Sequence, residues 1–331
     1  MAFLTKVLEF RGAARMFYQK YQIIIETLFR FLLSYLAFHT INETLAYNMR
    51  LTHPVIELGL GAVGAFLPPV ILILLCAMVA LFQVYSASPI LAALVLLIFA
   101  VLYCFIARFS GRFGYAVVAV PILYGFHMPY MVPLLLGLVG TPMTIFPAAC
   151  GVVVYYLFRV VADAATRRNI ASLDETLALY IDVVDSLMGH REMFLTVSIF
   201  AIVILIMYLV RKLRFEFSFE VTIVMGGLVN VVAFLLAELQ LDMNVSSGEV
   251  ILGTLGSMAI VFLVQFFRMI LDYMAVETVQ FEDDDYYYYV KAVPKVDVAM
   301  PQKNVTTFSD EEAEEEPATT KGKEDEFKFE E

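Results

Sequence analysis

The chain has 331 residues, 61% of them hydrophobic, a mean hydropathy of +0.79 and a formal net charge of −11. Soluble globular domains hold about 45–50% apolar residues, so this composition excludes an ordinary water-soluble enzyme and reads as a multi-span membrane protein. The charge is uneven: Met1–Met274 carries 16 basic and 16 acidic residues, whereas Ala275–Glu331 carries 6 and 17, which accounts for the whole −11.

The fold class expected is therefore all-α. A polytopic transmembrane helical bundle occupies 1–274, and an acidic, largely disordered cytoplasmic tail occupies 275–331. Nucleic acid is excluded as a partner, because phosphate binding needs a basic stripe and the soluble segment has the opposite sign. Cys76, Cys104 and Cys150 lie in apolar runs at spacings that fit neither a disulfide framework nor a metal site. No cofactor or metal is expected.

In chain order, Phe3, Leu4, Val7, Leu8 and Phe10 alternate with basic positions and predict an amphipathic helix along the headgroups. The basic residues continue to Lys20 with no small-residue cleavage site after the first apolar run, so no cleaved leader is expected. A span needs about 20 apolar residues. Runs of that size are Tyr21–Phe38, Phe66–Gln83, Pro89–Ile106, Phe194–Val210, Val221–Ala237 and Val250–Phe267, and Gly114–Val161 has room for two more around a turn at Gly137–Thr141. That predicts about eight spans with both termini inside. Lys and Arg near Lys20 and Arg211 agree with this orientation. Arg108, Arg112, Arg167 and Arg168 then fall outside, against the rule.

Glu26 and Arg30 share one face of the first span in the favourable i, i+4 order. A mutually neutralising structural pair is the first expectation, and part of an ion or substrate path the second. The segment 51–69 contains His53-Pro54 and a chance G-x-G-x-x-G that lacks the βαβ context of a dinucleotide site. Small residues for close helix approach explain it better, and a re-entrant or interfacial helix is expected there.

The segment Gly114–Val161 is the least regular, with Pro121, Pro129, Pro133, Pro142 and Pro147 among its glycines, Gly137 included. Proline removes a backbone donor, and broken helices at membrane depth survive only where protein or a cavity satisfies the freed groups. Kinked packing helices are the first expectation, and a substrate site on a discontinuous helix, re-entrant over 125–141, is the second. His127 is either a ligand or proton group, or is bonded to a carbonyl that a proline has freed.

The stretch 164–193 is polar enough to leave the membrane as an amphipathic helix. Ile170, Leu173, Leu177, Tyr180, Val184 and Leu187 recur three and four apart as a short seam. It suits packing on the body, a partner or a homodimer. In the tail, Tyr286, Tyr287, Tyr288 and Tyr289 lead into a strand against a partner or a neighbouring strand. The acidic runs beyond should stay disordered.

The tail segment FEDDDYYYYVKAVPK, residues 281–295, is where the chain resembles a multi-pass family of clostridial Gram-positive bacteria often labelled permeases of the ATP-binding-cassette type. The resemblance implies a bacterial cytoplasmic membrane and a transport or export role. The chain has no G-x-x-x-x-G-K-[ST] for ATP, so an ATPase would be a separate subunit. No catalytic pattern is present: no H-E-x-x-H or nucleophile elbow occurs, and His39, His53, His127 and His190 are scattered. Two functions follow as expectations. One is a permease-like membrane subunit; the alternative is a non-transporting scaffold that recruits a cytoplasmic partner through its acidic tail.

Overall fold

The computed structural model describes residues 12–14, 16–109, 113–166, 173–213, 217–241, 246–268, 277–282 and 287–292. Helix α1 (Gln22–Leu45) is followed by α2 (Pro54–Ala65), α3 (Pro69–Ala87), α4 (Pro89–Phe109), α5 (Tyr115–Gly125) and α6 (Met131–Val139). A 3₁₀ turn at Pro142–Thr144 leads into α7 (Ile145–Thr166). Then come α8 (Leu173–Met188), α9 (Arg191–Arg211), α10 (Ser218–Leu241) and α11 (Ser247–Arg268). In the tail, β1 (Glu277–Glu282) pairs antiparallel with β2 (Tyr287–Ala292), with Phe281 opposite Tyr288. The tyrosine run thus forms a strand against its own neighbour; Tyr286 lies outside the described residues.

Prolines punctuate the body where the sequence has them. Pro54, Pro69 and Pro89 each open a helix, where a missing N–H costs nothing. His53 caps α2 through Val55 N–H to Nδ1 at 3.4 Å, and Ser88 Oγ accepts from Leu91 N–H, also at 3.4 Å, at the start of α4.

Among the described residues, seven helical segments are long and apolar enough to cross a membrane: Gln22–Leu45, Pro69–Ala87, Pro89–Arg108, Pro142–Ala165, Arg191–Arg211, Ser218–Gln240 and Ser247–Arg268. The chain is an integral membrane protein by this measure. The count is one short of the expected eight, and the difference falls at Gly114–Val161. There α5 has 11 residues and α6 has 9, about 16 and 14 Å at 1.5 Å per residue, too short to cross a bilayer core of about 30 Å.

Hydrogen bonds fix which helix ends lie together. Asn48, just past α1, donates its backbone N–H to Gln83 Oε1 at 2.7 Å and its amide to Ser86 Oγ at 3.0 Å. The ends of α1 and α3 therefore share one end of the bundle, here the first end. Helix α2 runs back along α1, with Glu57 beside Asn42 and Gly64 against Ser34. A Cβ on Gly64 would overlap the Ser34 hydroxyl and one on Gly61 would crowd Tyr35, so these two serve close approach, whereas Gly59 has no neighbour within 4 Å. Helices α2 and α3 thus make a hairpin that begins and finishes at the first end.

The second hairpin is inverted. The Arg211 guanidinium at the end of α9 donates to the carbonyls of Leu138 and Gly140 (2.7 Å to the latter) at the end of α6, and caps it as a cation should. Helix α5 runs parallel to α7, with Val120 against Gly151 and Tyr124 over Tyr155. Helices α5 and α6 therefore start and finish at the second end, and their turn, residues 126–130, points towards the first.

The core between the hairpins is filled by fully buried Phe38, Leu72, Leu134, Leu157, Phe200 and Met207. Outward faces are apolar as well, as at Leu252 (73% exposed) and Leu239 (79%), the pattern of helices solvated by lipid rather than water. The first half of α1 lies outside the packed body, since its buried residues begin only at Ser34.

Candidate functional site

The turn between α5 and α6 forms one wall of a cavity of about 240 Å³. Pro121 sits inside α5, so its ring leaves the Val117 carbonyl without the usual helical donor. That carbonyl faces Gly151 on α7. At the turn, His127 takes φ of 56°, a left-handed conformation unfavourable for a residue with a Cβ. The His127 carbonyl and the Tyr130 ring lie against Gly253 of α11, where a Cβ would approach both to 2.9 Å. Glycine is needed there for the turn to reach α11. Pro133 falls in the first turn of α6, where its missing N–H is harmless. Gly137 packs on Met207, with Cβ approaches of 2.7 and 2.9 Å to its side chain.

Four tyrosines line the cavity. Tyr124 and Tyr155 stack with centroids 3.8 Å apart and planes 10° from parallel, and Tyr156 stands edge-on to Tyr155 at 5.2 Å. Tyr130 meets Phe234 of α10 edge-on at 5.0 Å. Such offset and edge-on pairs hold rings rigidly at low entropic cost. Thr196 of α9, 1% exposed, lies within hydrogen-bonding reach of the Tyr124 and Tyr156 hydroxyls.

Charges gather at the mouth. Arg159 of α7 places its guanidinium 5.9 Å from the Tyr155 ring centroid, a cation–π contact. Glu192, in the first turn of α9, Glu249, in the first turn of α11, and His127 complete the lining with Pro129. Besides His127 the lining holds one arginine and two carboxylates. An arginine, two carboxylates and four phenols can together hold a small solute that bears both an amine and a hydrogen-bonding or anionic group.

The other candidate positions scatter. Glu26 and Arg30 form an ion pair at 3.5 Å on the unpacked half of α1, and Gln22 and Tyr18 also donate to Glu26, at 2.8 and 3.3 Å. They do not line the cavity. On α8, Leu187 is buried and Val184 is 39% exposed, while Val183 is buried as well. The helix packs on α7, with Leu187 of the expected seam and its neighbour Val183 buried. Leu173, Leu177 and Tyr180 lie on its backbone, but their side chains and the whole of Ile170 lie outside the described residues. Tyr287, Tyr288 and Tyr289 lie on β2. Among the described residues no group of three His, Cys, Asp or Glu is placed to hold a metal.

Sequence reasoning found Pro121, His127, Pro129 and Pro133 around this turn, but not the walls that α7, α9, α10 and α11 contribute. The legible signal was Tyr155-Tyr156 followed one turn later by Arg159, a polar cluster inside an apolar run. A second network was missed too. Glu57, 5% exposed, accepts from Asn42 Nδ2 at 2.9 Å and lies 3.3 Å from His39 Nδ1. Asn42 Oδ1 accepts from Gln83 Nε2 at 2.6 Å. No protein-family model, characterised protein or solved structure matches the chain.

Proposed function

We propose that this protein is a permease-like membrane subunit that takes a small charged solute into the cavity at the α5–α6 break. One observation carries the reading: a discontinuous helix inside an apolar body lies beside convergent Arg159, Glu192, Glu249 and tyrosine hydroxyls. Arg159 lies within the Pro142–Ala165 segment, and ionisable groups inside a span are costly and mark solute paths by default. Inverted hairpins with a site at the helix break are a recurrent transporter device.

The arrangement also supports a topology. In this reading α1, α4, α7, α9, α10 and α11 cross fully, and the α2–α3 and α5–α6 hairpins enter from opposite sides. Both termini then lie on one side, as expected. Lys20, Arg108, Arg211, Lys212 and Arg268 fall at the second end, which the positive-inside rule makes cytoplasmic. Arg108, anomalous with eight spans, becomes regular with six. The cavity faces the outer side of a bacterial cell membrane, and a separate ATPase supplies energy if the system is driven by ATP.

The full-length protein, purified in mild detergent, is screened by thermal unfolding against small amines, amino acids, sugars and phosphates. A ligand at 100 times its Kd stabilises by about 2.7 kcal/mol. An amine or amino acid should raise Tm by several degrees, and Arg159→Ala should abolish the shift. A panel with no stabilising member, or a shift that survives Arg159→Ala, contradicts the reading.

A further inference from the structure

Beside the cavity, α10 and α11 pack along a polar seam. Below Phe234, Asn230, Thr222 and Ser218 lie on one buried face of α10 at helical spacing. Opposite them on α11, Thr254 and Ser257 are fully buried and Gln265 is 5% exposed. Asn230 Nδ2 donates to Thr254 Oγ1 at 2.8 Å, but among the described residues Asn230 Oδ1, Ser257 Oγ and Gln265 Oε1 have no hydrogen-bond partner. A buried polar group without a partner is costly, and three of them mark successive levels of the seam towards the second end. Helix–helix adhesion needs pairs that satisfy one another, and three unpaired groups in line are poor adhesion. Asn230 Oδ1 and Gln265 Oε1 only accept, and the Ser257 hydroxyl can accept as well as donate, so one donor-bearing occupant can complete all three. An ammonium offers three N–H groups and no acceptor, and the carboxylates Glu192 and Glu249 at the cavity mouth favour the same charge.

We propose that the α10–α11 seam is the route by which a small ammonium-bearing solute passes from the cavity to the second end, handed between Asn230, Ser257 and Gln265. The route rests on the cavity reading and adds the substrate's charge and direction.

The test uses the full chain in membrane vesicles, with Cys76, Cys104 and Cys150 replaced by alanine and single cysteines introduced. Ser257→Cys is nearly isosteric and keeps the fold, which monodisperse elution checks. The thiol is challenged with 2-aminoethyl, 2-hydroxyethyl and 2-sulfonatoethyl methanethiosulfonates. The aminoethyl cation should label Ser257→Cys at least tenfold faster than either other reagent, and faster than it labels outward-facing Leu255→Cys, which controls for entry through lipid. Equal rates with the three reagents, no faster labelling than at Leu255→Cys, or no labelling at all overturns the route. Thr196→Cys separates the two claims: labelled while Ser257→Cys is inert, it leaves the cavity standing without the seam; if it too is inert, the cavity falls as well.

Discussion

The two hairpins are built alike and finished differently. Each interrupts a membrane-scale helix, enters and leaves at one end of the bundle, and brings polar groups among apolar ones. In the α2–α3 hairpin all of those groups but the buried Ser34 Oγ, which lies beside Gly64, close on each other among the described residues. Gln83 bridges Asn42 and the Asn48 N–H, and Asn42 bridges Gln83, Glu57 and the Leu51 carbonyl. At the α5–α6 turn they line a cavity, and in the seam beneath it three oxygens stay unpaired. A broken helix is therefore no sign of function by itself. Saturation separates a structural break from a working one, because a satisfied network rigidifies whereas an unsatisfied one is costly unless something binds.

The largest effect should come from opening the closed network. Asn42→Leu removes three hydrogen bonds and leaves Glu57 and Gln83 buried with unpaired groups, a loss of about 3–5 kcal/mol. Thermal unfolding of the purified protein should fall by many degrees, while ligand affinity per folded molecule stays unchanged. Gln83→Leu strands only Asn42 Oδ1 and the Asn48 N–H and should cost about 2–4 kcal/mol, read the same way. A loss of affinity in either variant with stability intact would reverse the roles of the two hairpins.

The cavity should respond in the opposite sense. Arg159→Ala removes an exposed guanidinium and should change stability by under about 0.5 kcal/mol while weakening solute binding at least tenfold. Gly253→Val drives a side chain towards the His127 carbonyl, which is backbone and cannot swing aside. It should displace the turn, weaken binding several-fold and cost about 1–3 kcal/mol through overpacking.

The smallest effect is alkaline. Burial, then the nearby Asp163 carboxylate, raises the Tyr47 hydroxyl above its ordinary pKa of 10.0. Tyr47 lies between α1 and α2, outside the spans, and its protonated form is favoured in the folded state. That contribution is fully present below pH 10 and is lost as pH rises through the folded pKa. Tyr47→Phe should flatten the fall in Tm above pH 10 and leave neutral-pH stability within about 0.5 kcal/mol.

The membrane class, the helical body and the irregularity of 51–69 and 114–161 were legible in the sequence, because hydropathy and prolines act locally. The span count was not: seven segments among the described residues are long and apolar enough to cross. The Asn48–Gln83 and Asn48–Ser86 bonds, 35 and 38 residues apart in sequence, that bring the end of α3 to the end of α1 leave no trace in local hydropathy. The site was half legible for the same reason. Pro121, His127, Pro129 and Pro133 mark the turn from within one segment, whereas Arg159, Glu192, Thr196 and Glu249 join it from three helices distant in sequence. Within its own helix each of them resembles an ordinary polar residue of a span.

Uptake into proteoliposomes tests the central claim most directly, with the stabilising amine or amino acid supplied as radiolabelled solute, any required ATPase included, and rates normalised to folded protein. Arg159→Ala should lose at least nine-tenths of the wild-type rate, whereas Gln83→Leu should keep the wild-type rate per folded molecule despite its lower Tm. Wild-type uptake by Arg159→Ala, or uptake lost in Gln83→Leu alone, would contradict the assignment of the solute site to the unsaturated hairpin.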